Sequence, residues 1–289
     1  MNYILYHKGA IPEHLKYCIN TILSVDKHAN VHLITDQIYS QKSLSVININ
    51  DLGKLNFLTS FKKNLSKYNL LQNPLWLTSL ERIFYINEYV QNKKIEEFIH
   101  FDNDVLIYEP FETIKEMFSK GINGFYITPL NETNLVFGYS YSDSNEVYEK
   151  ICKEIKKIVN DYEYYQKKYN QNKPLNEMKI LSIVDRENSN LIQKLPILPH
   201  EALHIFDPAS YGQFLGGTHQ KPKTFFRSNF VTQAHNIGIE LISKRIKFYF
   251  DDGSPSVTSE LGHTSRLNNL HIHSKKLQKY VPSIYREFN

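Results

Sequence analysis

The chain has 289 residues, 41% of them hydrophobic and 22% charged, with a net charge of +4 when histidine is neutral. This composition excludes a disordered chain, and its lysine pairs (Lys62-Lys63, Lys93-Lys94) are too scattered for a nucleic-acid surface. Two cysteines, Cys18 and Cys152, exclude a disulfide framework and a thiolate metal site, and they fit a reducing compartment.

From the start, Tyr3 to Tyr6 reads as a short first strand, and His7 to Pro12 as a loop punctuated by Gly9 and Pro12. Glu13 to Ser24 carries Leu15, Cys18, Ile19, Ile22 and Leu23 at helical spacing. Val31 to Thr35, ending at Asp36, and Leu44 to Ile49 read as strands, so the opening favours a parallel α/β sheet. Leu52 to Asn73 is an irregular helix-like segment, and Leu75 to Val90 a better helix. Glu96 to Ile107 reads as one strand, Phe111 to Phe118 as a short helix, and Gly124 to Thr128 as a strand closed by Pro129. Val147 to Tyr169 reads as a lysine-rich surface helix, and Leu175 to Val184 has helical spacing. From Leu195 onward the elements shorten. Lys247 to Phe250 with Asp251-Asp252-Gly253 suggests a hairpin with Ser256 to Ser259, and Asn269 to His273 is a last strand. No stretch is apolar enough to cross a bilayer and the N-terminal run is too short for a signal peptide, so a cytoplasmic location is expected.

Two constellations carry chemistry. Asp102 and Asp104 interrupt the apolar run from Phe98 to Phe111, and period-two alternation would point both to one side. Paired buried carboxylates repel and lose hydration unless a cation lies between them, and hard oxygen ligands suit Mg2+ or Mn2+. The plainer alternative is a strand ending in a polar turn with both acids solvated. His271 and His273 share a strand face by the same parity and are followed at once by Ser274, Lys275 and Lys276. Imidazole for a metal beside ammonium for a phosphate makes chemical sense.

The segment Phe98 to Phe111 resembles the DxD segment of metal-dependent GT-A glycosyltransferases. Phe206-Asp207-Pro208-Ala209-Ser210-Tyr211-Gly212-Gln213-Phe214-Leu215-Gly216-Gly217 and Asn268-Asn269-Leu270-His271-Ile272-His273-Ser274-Lys275 resemble, in matching order, two blocks of a bacterial and viral group of these enzymes. The resemblance implies a single GT-A domain with a mixed, mostly parallel sheet flanked by helices. It further implies a nucleotide-sugar half (1–130) and a loop-rich acceptor half (131–289). The activity implied is hexosyl transfer from a UDP-sugar to a hydroxyl of a glycan or protein acceptor, in the host cytoplasm for a viral chain.

By the same resemblance, Asp102, Asp104 and His273 would hold the metal. Tyr6, His7, Asp36, Arg82, Asp102, Asn103, Ser274, Lys275 and Lys276 would bind the nucleotide and diphosphate. For Arg82 a surface ion pair with Glu81 or Glu88 is an equal alternative. Glu177 and Asp207 are the candidates for a base, with helix-surface and turn-capping alternatives, while Asn131, Gln213, Gly216 and Gly217 would face the sugars. The group's histidine is often followed by Gly before a phosphate-binding Lys, whereas this chain has Ser274-Lys275-Lys276. Two other readings compete. A sugar nucleotidyltransferase would have a glycine-rich, basic first loop, and this one contains only Gly9. A carbohydrate-binding protein on a transferase scaffold would not need the intact acidic pair.

Overall fold

The computed structural model describes residues 1–53, 55–56, 58–67, 75–118, 124–218, 233–251 and 253–286. Two sequence expectations extend beyond them: the end of the 52–73 segment and Asp252 of the hairpin turn.

A seven-stranded sheet forms the centre. Its strands are β1 (Asn2–His7), β2 (Asn30–Thr35), β3 (Leu44–Asn48), β4 (Phe98–Phe101), β6 (Phe125–Asn131), β7 (Asn134–Ser142) and β8 (Ile192–Lys194). They lie in the order β3-β2-β1-β4-β7-β6-β8. All run parallel except β7, which is antiparallel to both its neighbours. This is the mixed, mostly parallel sheet flanked by helices that was expected.

Both faces of the sheet are covered, so successive residues of one strand enter different cores. Ile4 and Tyr6 of β1 pack among the helices α2 (Leu58–Lys67), α3 (Leu75–Lys93), α5 (Asn145–Asn160), α6 (Tyr162–Asn170) and α7 (Glu177–Glu187). Tyr3 and Leu5 pack on the other face against α1 (Glu13–Val25) and the second half of the chain. The lysine-rich segment after Val147 is not one helix, although its lysine-bearing face does lie at the surface. It is two helices, and α5 buries Tyr148, Ile151, Cys152, Ile155 and Val159 while its lysines point outward. Ser144 caps α5, its hydroxyl accepting the Val147 N–H at 3.2 Å.

The expected strand from Glu96 to Ile107 divides in two. After β4 the chain turns at 102–104, where Asp102 N–H donates to Gly138 O (3.1 Å) and Val105 N–H to Asp102 O (3.0 Å). It leaves as β5 (Val105–Ile107), which pairs antiparallel with β13 (Asn269–His271) in a separate ribbon. The acids thus sit in a turn rather than on one side of a strand. After α4 (Phe111–Ile114), β6 also continues through Pro129 to Asn131, with a register shift against β7 at that point.

The second half builds a four-stranded sheet from β9 (His204–Ile205), β10 (Ile246–Asp251), β11 (Ser254–Ser259) and β12 (Thr264–Leu267), in the order β10-β11-β12-β9. Its hairpin is the expected one, with Phe248 paired to Val257. Two short helices, α8 (Ser210–Gly216) and α9 (Asn236–Ile242), flank this sheet and β13.

Candidate functional site

The parallel strands β1, β2 and β4 all end at one edge of the sheet, where open α/β sheets bind ligands. The loop after β1 is tied to the end of β2 by Gly9 N–H, which donates to Asp36 Oδ1 at 2.8 Å with Gly9 at φ +96°. Burial pushes the Asp36 carboxyl up, but the Gly9 amide and the Gln37 amide more than offset it and hold it below the usual range. His7 bridges Ala10 O (2.8 Å) through Nε2 and the Asn103 amide (2.7 Å) through Nδ1. Lys8 reaches Glu81 at 2.8 Å, and Tyr6 stacks on Tyr85 with ring centroids 5.9 Å apart. Tyr6, His7, Asp36 and Asn103 thus form one rim.

The acids lie beside this rim. Arg82, on α3, is an ion-pair partner of Asp102 through Nη1 and of Glu177 through Nη2, the latter at 3.1 Å. Its guanidinium carbon stands 5.1 Å from the centre of the Phe137 ring. The alternative pairing with Glu81 or Glu88 is not the one adopted: Glu81 holds Lys8 instead. Glu177 opens α7 and is buried. Burial pushes its carboxyl up, and the Arg82 cation only partly counters that.

Asp104 is 3% exposed. Its Oδ1 lies 3.1 Å from His271 Nε2 and its Oδ2 meets the Lys275 ammonium. Burial alone would raise the Asp104 carboxyl, yet His271 and Lys275 bring it well below the usual carboxylate range. His271 Nε2 is also 3.7 Å from Asp102 Oδ2, and ligand atoms of Asp102, Asp104 and His271 all lie within 4.8 Å of one another. The β5–β13 ribbon produces this convergence, because His271 pairs with Val105 and Ile272 N–H donates to Asp104 O at 2.8 Å.

The sequence expectation gave the third ligand position to His273. The imidazole that the structure brings to Asp102 and Asp104 is that of His271. The strand ends at His271, and a turn closed by Lys275 N–H to Ile272 O (2.9 Å) breaks the parity that would have set both imidazoles on one side. His273 packs ring to ring with His271 at 4.6 Å and lies 3.4 Å from Gln213 Nε2. Another residue that sequence reasoning missed is His14, in the first turn of α1. Burial first lowers its pKa to about 4, with the Lys275 charge adding to that effect and the Asp104 carboxylate opposing it.

Asp207 was expected as a candidate base. It is 1% exposed, and its oxygens accept four backbone N–H groups: Ser210 (2.6 Å), Tyr211 (2.9 Å), Gly212 (2.8 Å) and His271 (3.0 Å). The turn-capping alternative is the one adopted, since no carboxylate oxygen remains free to take a proton from a substrate. Gly216 gives room to Ser274, whose Oγ would lie 2.9 Å from a Cβ there, and Gly217 ends α8 at φ +72°. Asn131 closes the β6–β7 turn by accepting Thr133 N–H at 2.9 Å, and its amide donates to Ala234 O at 2.8 Å. Lys276 is exposed beside Lys275.

Two carboxylate oxygens and an imidazole nitrogen within reach of one another suit a divalent cation with coordination positions left for a phosphate. A second observation points to a ligand. Arg82 Nε and His271 Nδ1, on two residues that meet the acids, are buried with no hydrogen-bond partner among the described residues. No helix among the described residues is long and apolar enough to cross a membrane.

No protein-family model and no curated protein sequence matches the chain. Solved structures do. Mouse xyloside xylosyltransferase 1 is 11% identical, with a TM-score of 0.44 over 68% of this chain and 86% of that one. The galactosyltransferase LgtC, in complex with donor and acceptor sugar analogues, is 9% identical, with a TM-score of 0.42 over 75% and 79%. The PaToxG glycosyltransferase is 13% identical, with a TM-score of 0.41 over 66% and 71%.

Proposed function

We propose that the chain is a glycosyltransferase that moves a sugar from a UDP-sugar to a hydroxyl of a glycan or protein acceptor, with Mn2+ or Mg2+ held by Asp102, Asp104 and His271. The observation that carries this reading is the convergence of the acidic turn after β4 with His271, whose buried Nδ1 has no hydrogen-bond partner among the described residues.

The chemistry follows from the charge that develops. Breaking the bond from the anomeric carbon to phosphate oxygen leaves an oxocarbenium-like sugar and a diphosphate bearing new negative charge. When bound, a divalent cation supplies Lewis-acid stabilisation of that leaving group. In this reading Lys275, whose ammonium meets Asp104, and its exposed neighbour Lys276 offer positive charge to the diphosphate. Tyr6, His7, Asp36 and Asn103 hold the nucleoside at the rim. Arg82 fixes Asp102 and Glu177 relative to each other, so Glu177 is our candidate for contact with the transferred sugar or the acceptor proton. Asp207 has no such role in this reading. Gln213, beside His273, leads toward the acceptor side. The 1–130 half would then serve the donor and the 131–289 half the acceptor.

A panel of UDP-, GDP- and CMP-sugars with Mn2+, read by thermal stabilisation and nucleotide release, tests the proposal. Stabilisation and UDP release confined to UDP-sugars with metal are expected, and Asp104→Ala should abolish both. Release of pyrophosphate from a sugar phosphate and UTP would instead mark a nucleotidyltransferase.

A further inference from the structure

A histidine that ligates a metal ordinarily has its ring set by a hydrogen bond from its other nitrogen to a carboxylate or carbonyl. His271 departs from that arrangement. Its Nε2 faces Asp104, while its buried Nδ1 has no hydrogen-bond partner among the described residues. The ring must therefore be oriented by what holds its backbone and what packs against its edge.

Both are visible. The His271 N–H donates to Asp207 Oδ2, and the same carboxylate gathers the Ser210, Tyr211 and Gly212 amides. Asp207 is itself clamped by the Asn269 side chain, which accepts Asp207 N–H at 3.1 Å and donates to Asp207 O at 3.2 Å. The His271 carbonyl rests on Gly212, where a Cβ would stand 2.6 Å from the carbonyl carbon. The ring edge rests on Gly138, where a Cβ would stand 2.8 Å from Nδ1 and 2.9 Å from Cε1. Gly138 also accepts the Asp102 amide through its carbonyl, so one residue sets both an acid and the imidazole.

Resting on the metal reading above, we propose that Asp207 and Gly138 are positioning residues for His271: Asp207 fixes its backbone and Gly138 its ring, in place of the missing hydrogen bond at Nδ1. Neither touches the substrate or the metal. Asp207→Asn replaces an acceptor with an NH2 group that faces one of the amide donors, which loosens the clasp. Gly138→Ala pushes the ring from the other side and leaves the clasp intact.

The test is Mn2+ titration of the full chain followed by the electron paramagnetic resonance signal of the free ion, below the melting onset of every variant. Ser144→Ala, at the remote α5 cap, is the control for lost stability alone. We expect both Asp207→Asn and Gly138→Ala to weaken Mn2+ binding by about ten-fold or more, the scale for outer-shell partners of a metal ligand. The Ser144→Ala affinity should be unchanged. If Asp207→Asn does not fold, Gly138→Ala decides alone. Variants that fold and bind Mn2+ as the unmodified chain does would overturn this inference and leave the metal reading standing. An unmodified chain that binds no Mn2+ would overturn both.

Discussion

Gly212 packs directly on the carbonyl of His271, leaving no space for a side chain between helix α8 and strand β13. That contact joins the 206–217 block to the C-terminal segment carrying the imidazole, and it requires glycine for proximity rather than for a left-handed backbone. Gly212→Ala should force the two backbones apart at a cost of about 1–3 kcal/mol, the range for overpacking a tight interior. Thermal melting checks this, and an unchanged midpoint would mean the contact is looser than described.

Arg82 is the only cation ion-paired to Glu177 among the described residues, and its side chain is 12% exposed. Arg82→Met should destabilise by about 3–5 kcal/mol, because it strands two partly buried carboxylates. Removing one of those charges as well, in Arg82→Met/Glu177→Gln, should recover part of the loss. A double-mutant cycle by urea unfolding measures the coupling, and strict additivity of the two single changes would contradict the pairing.

His100 is fully buried in β4 against Phe137 and accepts no charge easily. Burial first and Arg82 second lower its pKa from 6.5 to about 3, although its bond to Ile4 O opposes them. The folded chain then binds fewer protons than the unfolded chain between those values. Its contribution to stability is complete above about 6.5 and is lost as the pH falls toward 3. At about pH 5 the loss should be roughly 2 kcal/mol, from 1.36 kcal/mol per pH unit. The buried carboxyls of Glu177 and Asp207 are raised and act in the opposite sense, so the comparison to make is with His100→Phe. Urea midpoints of the unmodified chain should fall more steeply between pH 7 and 5 than those of the variant. Parallel lines would contradict the assignment.

Much of the first half was legible because its signals are local. Tyr3 to Tyr6, Val31 to Thr35 and the helical spacing of Leu15, Cys18, Ile19 and Ile22 lie where β1, β2 and α1 form. The acidic pair was visible as charge inside an apolar run. What was not legible depended on partners distant in sequence. Strand β7 is buried on both faces around Gly138, so it shows no alternation, and its antiparallel place between β4 and β6 cannot be read from its residues. Phe98 to Ile107 looks continuous because both pieces are apolar, yet they belong to different sheets. The choice of His271 over His273 was hidden for a similar reason. Parity along a strand relates the two, but only the pairing of His271 with Val105 and the turn at Ile272 decide which imidazole meets Asp104.

The exchange of His273 for His271 gives the sharpest test. Calorimetric titration of UDP into the chain, with and without Mn2+, should show binding that depends on Mn2+. The same dependence should survive in His273→Ala, be lost in His271→Ala, and be lost in Asp104→Ala. UDP binding indifferent to Mn2+ in the unmodified chain, or retained Mn2+ dependence in His271→Ala, would contradict the site.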